Sequence, residues 1–288
     1  MEKRPDWLKV RIPSGDTYFE VRRILRSHKL NTICEDAMCP NIAECWGTHR
    51  TATFMILGDV CTRACAFCAV TSGKPTELDL AEPARVAEAI ADLKLRHAVI
   101  TSVDRDDLAD GGASVFADLV RQIRRRDPDV KIELLTPDFQ GSLDAVGVVV
   151  NAGPDIFSHN IETVCRLYPS IRFKSDYTTS FGLLKAAKKM NAGMFVKTGI
   201  MVGLGEQSDE VLDLMRDAVD AGVDIFTIGQ YLRPSPKHAT IQKYYHPDEF
   251  AEFAEQGRAL GLRWVFAGPL VRSSYHAEDV FSQATASV

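Results

Sequence analysis

The sequence predicts an α/β fold built on a parallel sheet, and two observations predict it. Short stretches rich in Val, Ile, Phe or Thr recur from residue 51 onward, and amphipathic stretches of helical period lie between them. Strand–helix units of about 25–45 residues suit right-handed βαβ crossovers. Six or seven such units make either a complete or partial (β/α) barrel or an open doubly wound sheet, and periodicity does not choose between them.

The elements follow in order. A polar zone runs to about Arg50, punctuated by Pro5, Pro13, Gly15, Pro40 and Gly47, with one predicted helix at 18–28. Strands are predicted at 51–57, 97–102, 130–135, 155–159, 194–198, 223–228 and 262–266. One helix between them has Pro83 near its first turn and Val86, Ile90 and Leu93 on one face. Another aligns Val115, Phe116, Leu119, Val120 and Ile123. A third takes Ser208 as N-cap, Asp209 and Glu210 in its first turn, and Val211, Leu212, Met215 and Val219 as its buried stripe, ending at Gly222. From Gly268 the regular pattern stops and a polar tail, expected to lie over the sheet, begins.

Composition narrows the function. Lys and Arg number 34 against 39 Asp and Glu, so the chain lacks the basic excess of a nucleic-acid binder. The charged start at residues 1–6 does not resemble a secretory signal, and the longest clean apolar run, 145–150, falls short of the ~20 residues that cross a bilayer. A cytoplasmic protein is expected, with no membrane partner. Of its seven cysteines, six lie between Cys34 and Cys68, which in a reducing compartment points to metal or redox chemistry and not to disulfides.

Cys61, Cys65 and Cys68 place three thiols directly after the first predicted strand. A [4Fe–4S] cubane takes one ligand per iron, so three thiolates leave one iron open, a defect in an electron carrier and an asset in an enzyme. Structural zinc prefers paired Cys-x2-Cys units, and only Cys65 and Cys68 form one; His49, close to Cys45, is the available partner for the earlier cysteines.

The Cys-x3-Cys-x2-Cys run, with Phe67 before its last cysteine, resembles the signature of the radical S-adenosylmethionine (SAM) enzymes. The preceding Cys34-x4-Cys39-x5-Cys45 and the tail sequence Arg272-Ser273-Ser274-Tyr275 narrow the resemblance to the lipoyl synthase family, over nearly the whole chain. That resemblance implies a partial or full (β/α) TIM-like barrel of about six parallel strands with N- and C-terminal extensions. It divides the chain into an extension at 1–50 carrying auxiliary-cluster ligands, a core at 51–267, and a tail at 268–288 contributing a serine ligand. Two [4Fe–4S] clusters are implied: Cys61, Cys65 and Cys68 hold the one that cleaves SAM to a 5′-deoxyadenosyl radical, with Phe67 near the adenine. Cys34, Cys39, Cys45 and Ser273 hold the auxiliary one, which donates sulfide. A hydroxyl is a hard, poor ligand for iron–sulfur, which suits a cluster meant to be dismantled; an isolated serine in a tail is otherwise a cap or turn hydroxyl.

The implied activity is a sulfurtransferase reaction, insertion of sulfur at C6 and C8 of a protein-bound octanoyl-lysine, consuming two SAM molecules. The implied partners are octanoylated lipoyl carrier domains (2-oxoacid dehydrogenase E2 subunits and the glycine cleavage H protein) and an electron donor such as ferredoxin or flavodoxin, with no nucleic acid. A relative with both clusters but another substrate is the nearest alternative. An iron–sulfur carrier or zinc-stabilised interaction module is the alternative from another class, and it lacks a fourth cysteine at each site.

Weaker signals complete the candidate set. The segment 199–206 resembles the glycine-containing stretch that lines the adenine in many radical SAM enzymes, which nominates Gly203; an ordinary Gly-rich turn explains it equally. Ser102 and Asp104 stand where the superfamily often has Gly-Gly-Glu for the cofactor's amino group. Asn160 and Glu162 close a predicted strand, where ribose or amino groups bind in parallel sheets. Lys197 interrupts an apolar strand and must reach the barrel mouth or a salt-bridge partner. Asp106, Asp107 and Asp110 read as a solvated helix start, Cys165 as a small buried hydrophobe, and the Arg121/Arg124–126 and Arg22/Arg23/Arg26/Lys29 groups as solvated faces or a surface for an acidic carrier.

Overall fold

A computed structural model of the chain describes residues 4–274, so Tyr275 and the rest of the tail lie outside the described residues. The strands are β1 (Asn31–Thr32), β2 (Thr53–Ile56), β3 (Val60–Cys61), β4 (Thr71–Ser72), β5 (His97–Ser102), β6 (Lys131–Leu135), β7 (Ile156–Ser158), β8 (Phe195–Val202), β9 (Ile225–Gln230) and β10 (Trp264–Gly268). The helices are α1 (Asp16–Ser27), α2 (Ile33–Asp36), α3 (Ile42–Gly47), α4 (Glu82–Leu93), α5 (Ala113–Arg126), α6 (Leu143–Asn151), α7 (Tyr168–Ile171), α8 (Tyr177–Met190), α9 (Ser208–Asp220) and α10 (Pro247–Ala259).

The main sheet runs β1-β2-β5-β6-β7-β8-β9-β10. Seven strands are parallel, one more than the six expected, and β1 pairs antiparallel to β2 at the edge. Strictly sequential order decides the architecture. Crossovers of one hand between successive neighbours put every helix on the same face, and the helices α1, α4, α5, α6, α8, α9 and α10 do pack in succession against one another. A doubly wound sheet would split them between two faces. No pairing joins the β1 and β10 edges among the described residues, so the architecture is an open, partial (β/α) barrel.

Side chains alternate across each strand, and the two faces differ in chemistry. The outward residues, among them Phe54, Ile100, Leu134, Phe157, Phe226 and Ile228, are sealed in the main core beneath the helices. Inside, Ile156, Phe195, Ile225, Trp264 and Phe266 close the end where the strands begin. The opposite end, where strands finish, is open and polar.

Helix ends correct two expectations. Gln207, not Ser208, is the N-cap of α9, forming a reciprocal capping box with Glu210. The buried stripe of α9 is Val211, Leu214, Met215 and Ala218, so Leu212 and Val219 sit at its margin. The apolar run 145–150 lies within α6, with Ser142 accepting from the Ala145 amide as its cap. No helix among the described residues is long and apolar enough to cross a membrane.

The first fifty residues share the main core. Tyr18, Val21 and Leu25 of α1 pack inward, and Trp46 is wholly buried, stacked on Tyr18 with ring centroids 5.3 Å apart.

Candidate functional site

The Cys61–Cys68 loop leaves the barrel at the carboxyl end of β2 and is clasped at its neck. Cys61 pairs with Ser72 across β3 and β4, and the Gly73 amide donates to the Cys61 carbonyl at 2.9 Å. Arg63, sealed within the loop, donates to Asp106 and to both oxygens of Asp138, the latter at 2.6 Å. Other loops grip the outside: Ala66 donates to the Ile171 carbonyl, Ala239 to that of Ala66, and Lys174 to that of Thr62. His238 Nε2 lies 3.0 Å from the Cys68 carbonyl. The loop is therefore a fixed cradle with its thiols turned inward.

The Cys61 sulfur receives backbone N–H groups from Arg63 and Asp104, each at 3.4 Å. Burial pushes the Cys61 thiol up to about 11 and the Cys68 thiol up to about 12, and neighbouring thiols in the loop add to both shifts. Such thiols shed their protons only to a strong cation.

The second triad is built on the edge pairing. β1 lays residues 31–32 against β2, and Thr32 caps α2 by accepting from the Glu35 amide at 3.3 Å, which carries Cys34 inward. The Cys39 amide closes on the Cys34 carbonyl at 3.0 Å, through Met38 in the left-handed region (φ 50°). Cys45 follows one turn into α3, its amide on the Asn41 carbonyl at 2.9 Å. Cys34 is raised to about 11 by burial and then by Cys39; burial, then Cys34 and Cys39, raise Cys45 further still. Each triad is thus a set of mutual neighbours. Three free thiols at each site are a soft donor set that suits an iron–sulfur cluster.

All three thiols of the Cys61 loop, and Cys39 of the second triad, face one cavity of about 310 Å³, within the range of small-molecule sites, while Cys34 and Cys45 lie behind its wall. Cys39, Cys61, Cys65, Cys68 and Ser273 all line it. The tail enters over β9: the Asn41 carboxamide donates to the Leu270 carbonyl at 2.7 Å, and the Gln230 amide to that of Pro269. Gly229 is required beneath it, since a Cβ there would meet the Val271 carbonyl oxygen at 2.0 Å. Arg272 follows, half-buried within electrostatic reach of Cys39 and Glu162, with burial lowering its pKa and Cys39 opposing.

Polar atoms without partners mark where a ligand belongs. Ser102 Oγ, Asn160 Oδ1 and Arg172 Nε are buried and unsatisfied, and all three residues line the cavity. Phe67 and Glu162 line it too, Glu162 with φ 69° and stitched to β8 through its amide and carbonyl. Burial raises the Glu162 carboxyl, against the pull of Arg172. Arg172 is a cavity residue that sequence reading did not nominate. Its Nη1 is spent on the Asn160 carbonyl (2.7 Å) and the Tyr168 hydroxyl (3.0 Å), and among the described residues no carboxylate pairs with it. A buried guanidinium in that position calls for an anion from the cavity.

Several candidates do not join the site. Lys197 is wholly buried toward the closed end of the barrel and donates to Glu133 at 2.8 and 3.0 Å; it does not line the cavity. Gly203 also lies off the cavity, in a turn with φ 106° whose amide donates to Glu206. Cys165 is exposed, not buried. Asp106 and Asp107 pair with the buried Arg63 and Arg105 and so are not free, while Asp110 accepts from the Gly112 and Ser114 amides at the start of α5. In the basic groups, Arg124 and Arg126 pair with Asp155 and Glu88, and Arg26 pairs with Glu35.

Comparisons with known proteins agree with this geometry. Residues 55–218 match the model of the radical SAM superfamily, and residues 1–39 match that of the N-terminal domain of lipoyl synthase of the radical SAM family. A lipoyl synthase of Rubrobacter xylanophilus is 55% identical over 276 residues, covering 96% of this chain and 86% of the relative. One of Bacillus subtilis is 50% identical over 283 residues, covering 98% and 95%. Among solved structures, methylornithine synthase (PylB) superposes with a TM-score of 0.55 at 12% identity over 94% of this chain and 92% of that one. Streptococcus suis SuiB gives 0.56 at 14% identity, with 90% of this chain covering 56% of SuiB. These two likenesses show the fold.

Proposed function

This chain belongs to the lipoyl synthase family of the radical SAM superfamily, and from that premise we propose that it inserts sulfur at C6 and C8 of an octanoyl chain amide-linked to a lysine of a lipoyl carrier domain. It is a radical SAM sulfurtransferase of lipoate biosynthesis, with SAM and a [4Fe–4S] cluster as cofactors. In the reading proposed, Cys61, Cys65 and Cys68 hold that cluster, and Cys34, Cys39, Cys45 and Ser273 hold a second.

The target carbons have no acidic hydrogen, which closes the ordinary acid–base routes. When bound, the cofactors supply hydrogen-atom abstraction from an unactivated carbon and the sulfide that takes the hydrogen's place. The chain's own residues do the rest. Six cysteines would bind as thiolates, three from the clasped 61–68 loop and three from α2, α3 and the turn between them. Arg172 presents an unpaired N–H and a positive charge to the methionyl carboxylate, Ser102 and Asn160 offer their free oxygens to the amino and ribose groups, and Phe67 packs beside the adenine. Met55, Leu135 and Met201 make the wall apolar, which excludes water from a reactive intermediate. Ser273 supplies a hard oxygen ligand suited to release.

The observation that supports this reading is a cavity lined by Cys61, Cys65 and Cys68 together with Cys39 of the second triad and the tail serine. The partners that follow are octanoylated carrier domains and a low-potential electron donor such as ferredoxin or flavodoxin, in a cytoplasmic setting. The test is an anaerobic reaction of the reconstituted enzyme with SAM, reductant and an octanoylated carrier domain, read by mass spectrometry. The expected product carries two added sulfurs with two 5′-deoxyadenosines released. SAM cleavage without sulfur insertion would mean another substrate, and no cleavage would refute the reading.

A further inference from the structure

The side chain of Ser273 has a partner that the ligand role leaves unexplained. Asn160 Nδ2 donates to Ser273 Oγ at 2.8 Å and, with its other hydrogen, to Glu162 Oε1 at 3.0 Å. A carboxylate only accepts, so the Asn160 amide nitrogen must face Glu162. Glu162 is fixed in turn, since its amide donates to the Gly199 carbonyl and its carbonyl accepts from Met201. The Asn160 backbone is held by Arg172 at 2.7 Å. The donor that meets Ser273 is thus aimed from the barrel and is independent of the tail.

The tail backbone, for its part, is docked without Asn160. Asn41 holds the Leu270 carbonyl at 2.7 Å, and Val271 is seated on Gly229. These docking contacts end at Val271, and Ser273 beyond them is held through its side chain; a serine reorients by changing χ1 between staggered wells.

We propose that Asn160 is a positioning residue that holds the Ser273 hydroxyl whenever iron does not, so that iron ligation and the Asn160 contact are alternative states of one oxygen. The proposal rests on the reading of Ser273 as an auxiliary-cluster ligand. Release of the serine then leaves the tail docked, because the oxygen, reprotonated by solvent, passes to a waiting donor. The site stays shaped for reloading.

The experiment is hydrogen–deuterium exchange of the tail segment 271–274, followed by mass spectrometry on the full chain, iron-free and reconstituted under anaerobic conditions. In the iron-free chain, Asn160→Ala and Ser273→Ala each speed exchange by about three- to tenfold, the worth of one hydrogen bond. The double variant is no faster than either single one. In the reconstituted chain Asn160→Ala exchanges at the wild-type rate. Asn160→Asp, which keeps the shape and removes the donor, repeats the iron-free result if the alanine variant folds poorly. Unchanged exchange in both iron-free Asn160 variants, an additive double variant, or equal loosening with and without iron would each overturn the proposal. Failure of the cluster reading is seen separately, as iron content unaffected by Cys34→Ala.

Discussion

Lys197 and Glu133 form an ion pair inside the barrel, at 2.8 and 3.0 Å, with 0% and 1% of their side chains exposed. His97 Nε2 lies 3.6 Å from the same carboxylate. Burial works against the Glu133 charge, but Lys197 and His97 outweigh it and hold the carboxyl below its usual range. Removing the cation alone strands a buried carboxylate, so Lys197→Met is expected to cost about 3–5 kcal/mol and to lower Tm by roughly 10 °C. Lys197→Met with Glu133→Gln should recover most of it. Since the folded pKa is depressed, the pair's contribution is complete above the unfolded value of about 4.3 and fades as pH falls through the lower folded one. Urea midpoints across pH 7 to 3 check both statements.

Arg172 should govern cosubstrate binding. A charge-assisted hydrogen bond is worth about 1.5–3 kcal/mol, so Arg172→Gln should raise the KM for SAM roughly tenfold to a hundredfold. The kcat for 5′-deoxyadenosine release should fall much less. Equal loss in both would point to a damaged loop, because Arg172 also ties the Asn160 carbonyl.

The triads should lose function separately. After anaerobic reconstitution, Cys34→Ala and Cys61→Ala should each hold about half the wild-type iron and sulfide. Cys61→Ala should abolish SAM cleavage, whereas Cys34→Ala should retain it and lose sulfur insertion. Iron analysis alongside a 5′-deoxyadenosine assay distinguishes them.

Ser273→Ala should depress lipoyl product far more than 5′-deoxyadenosine, with uncoupled SAM cleavage as its signature. The ratio of the two products, measured in single-turnover reactions, reads this directly. An equal fall in both would remove Ser273 from the sulfur-donating step.

The cysteines were legible because thiols at those spacings carry chemistry on their own, and the strands because buried parallel strands concentrate β-branched and aromatic residues. His97–Ser102 matches its predicted span and the other six predicted strands fall within a few residues of theirs, whereas the two-residue strands β1, β3 and β4 are too short to leave a pattern and were not predicted. Depth along a strand was not legible. Lys197 and Met201 share a face of β8, but the third residue lies toward the closed end and the seventh at the mouth. Helical phase failed at Leu212: α9 begins one residue earlier than a Ser208 cap implies, and its buried stripe takes Leu214 instead. Arg172 and Asn41 belong to no motif. Asn41 meets a partner 229 residues away, and Arg172 holds Asn160 and Tyr168 through a loop turn that no periodicity reports; its trace is a cation between Ile171 and Phe173.

The Asn41–Leu270 contact also orders events in time. A ribosome builds one half of this bond long before the other, and the serine that follows emerges later still. Asn41 and Leu270 are 229 residues apart, so the contact that seats the tail closes only after every strand of the series between them has been synthesised.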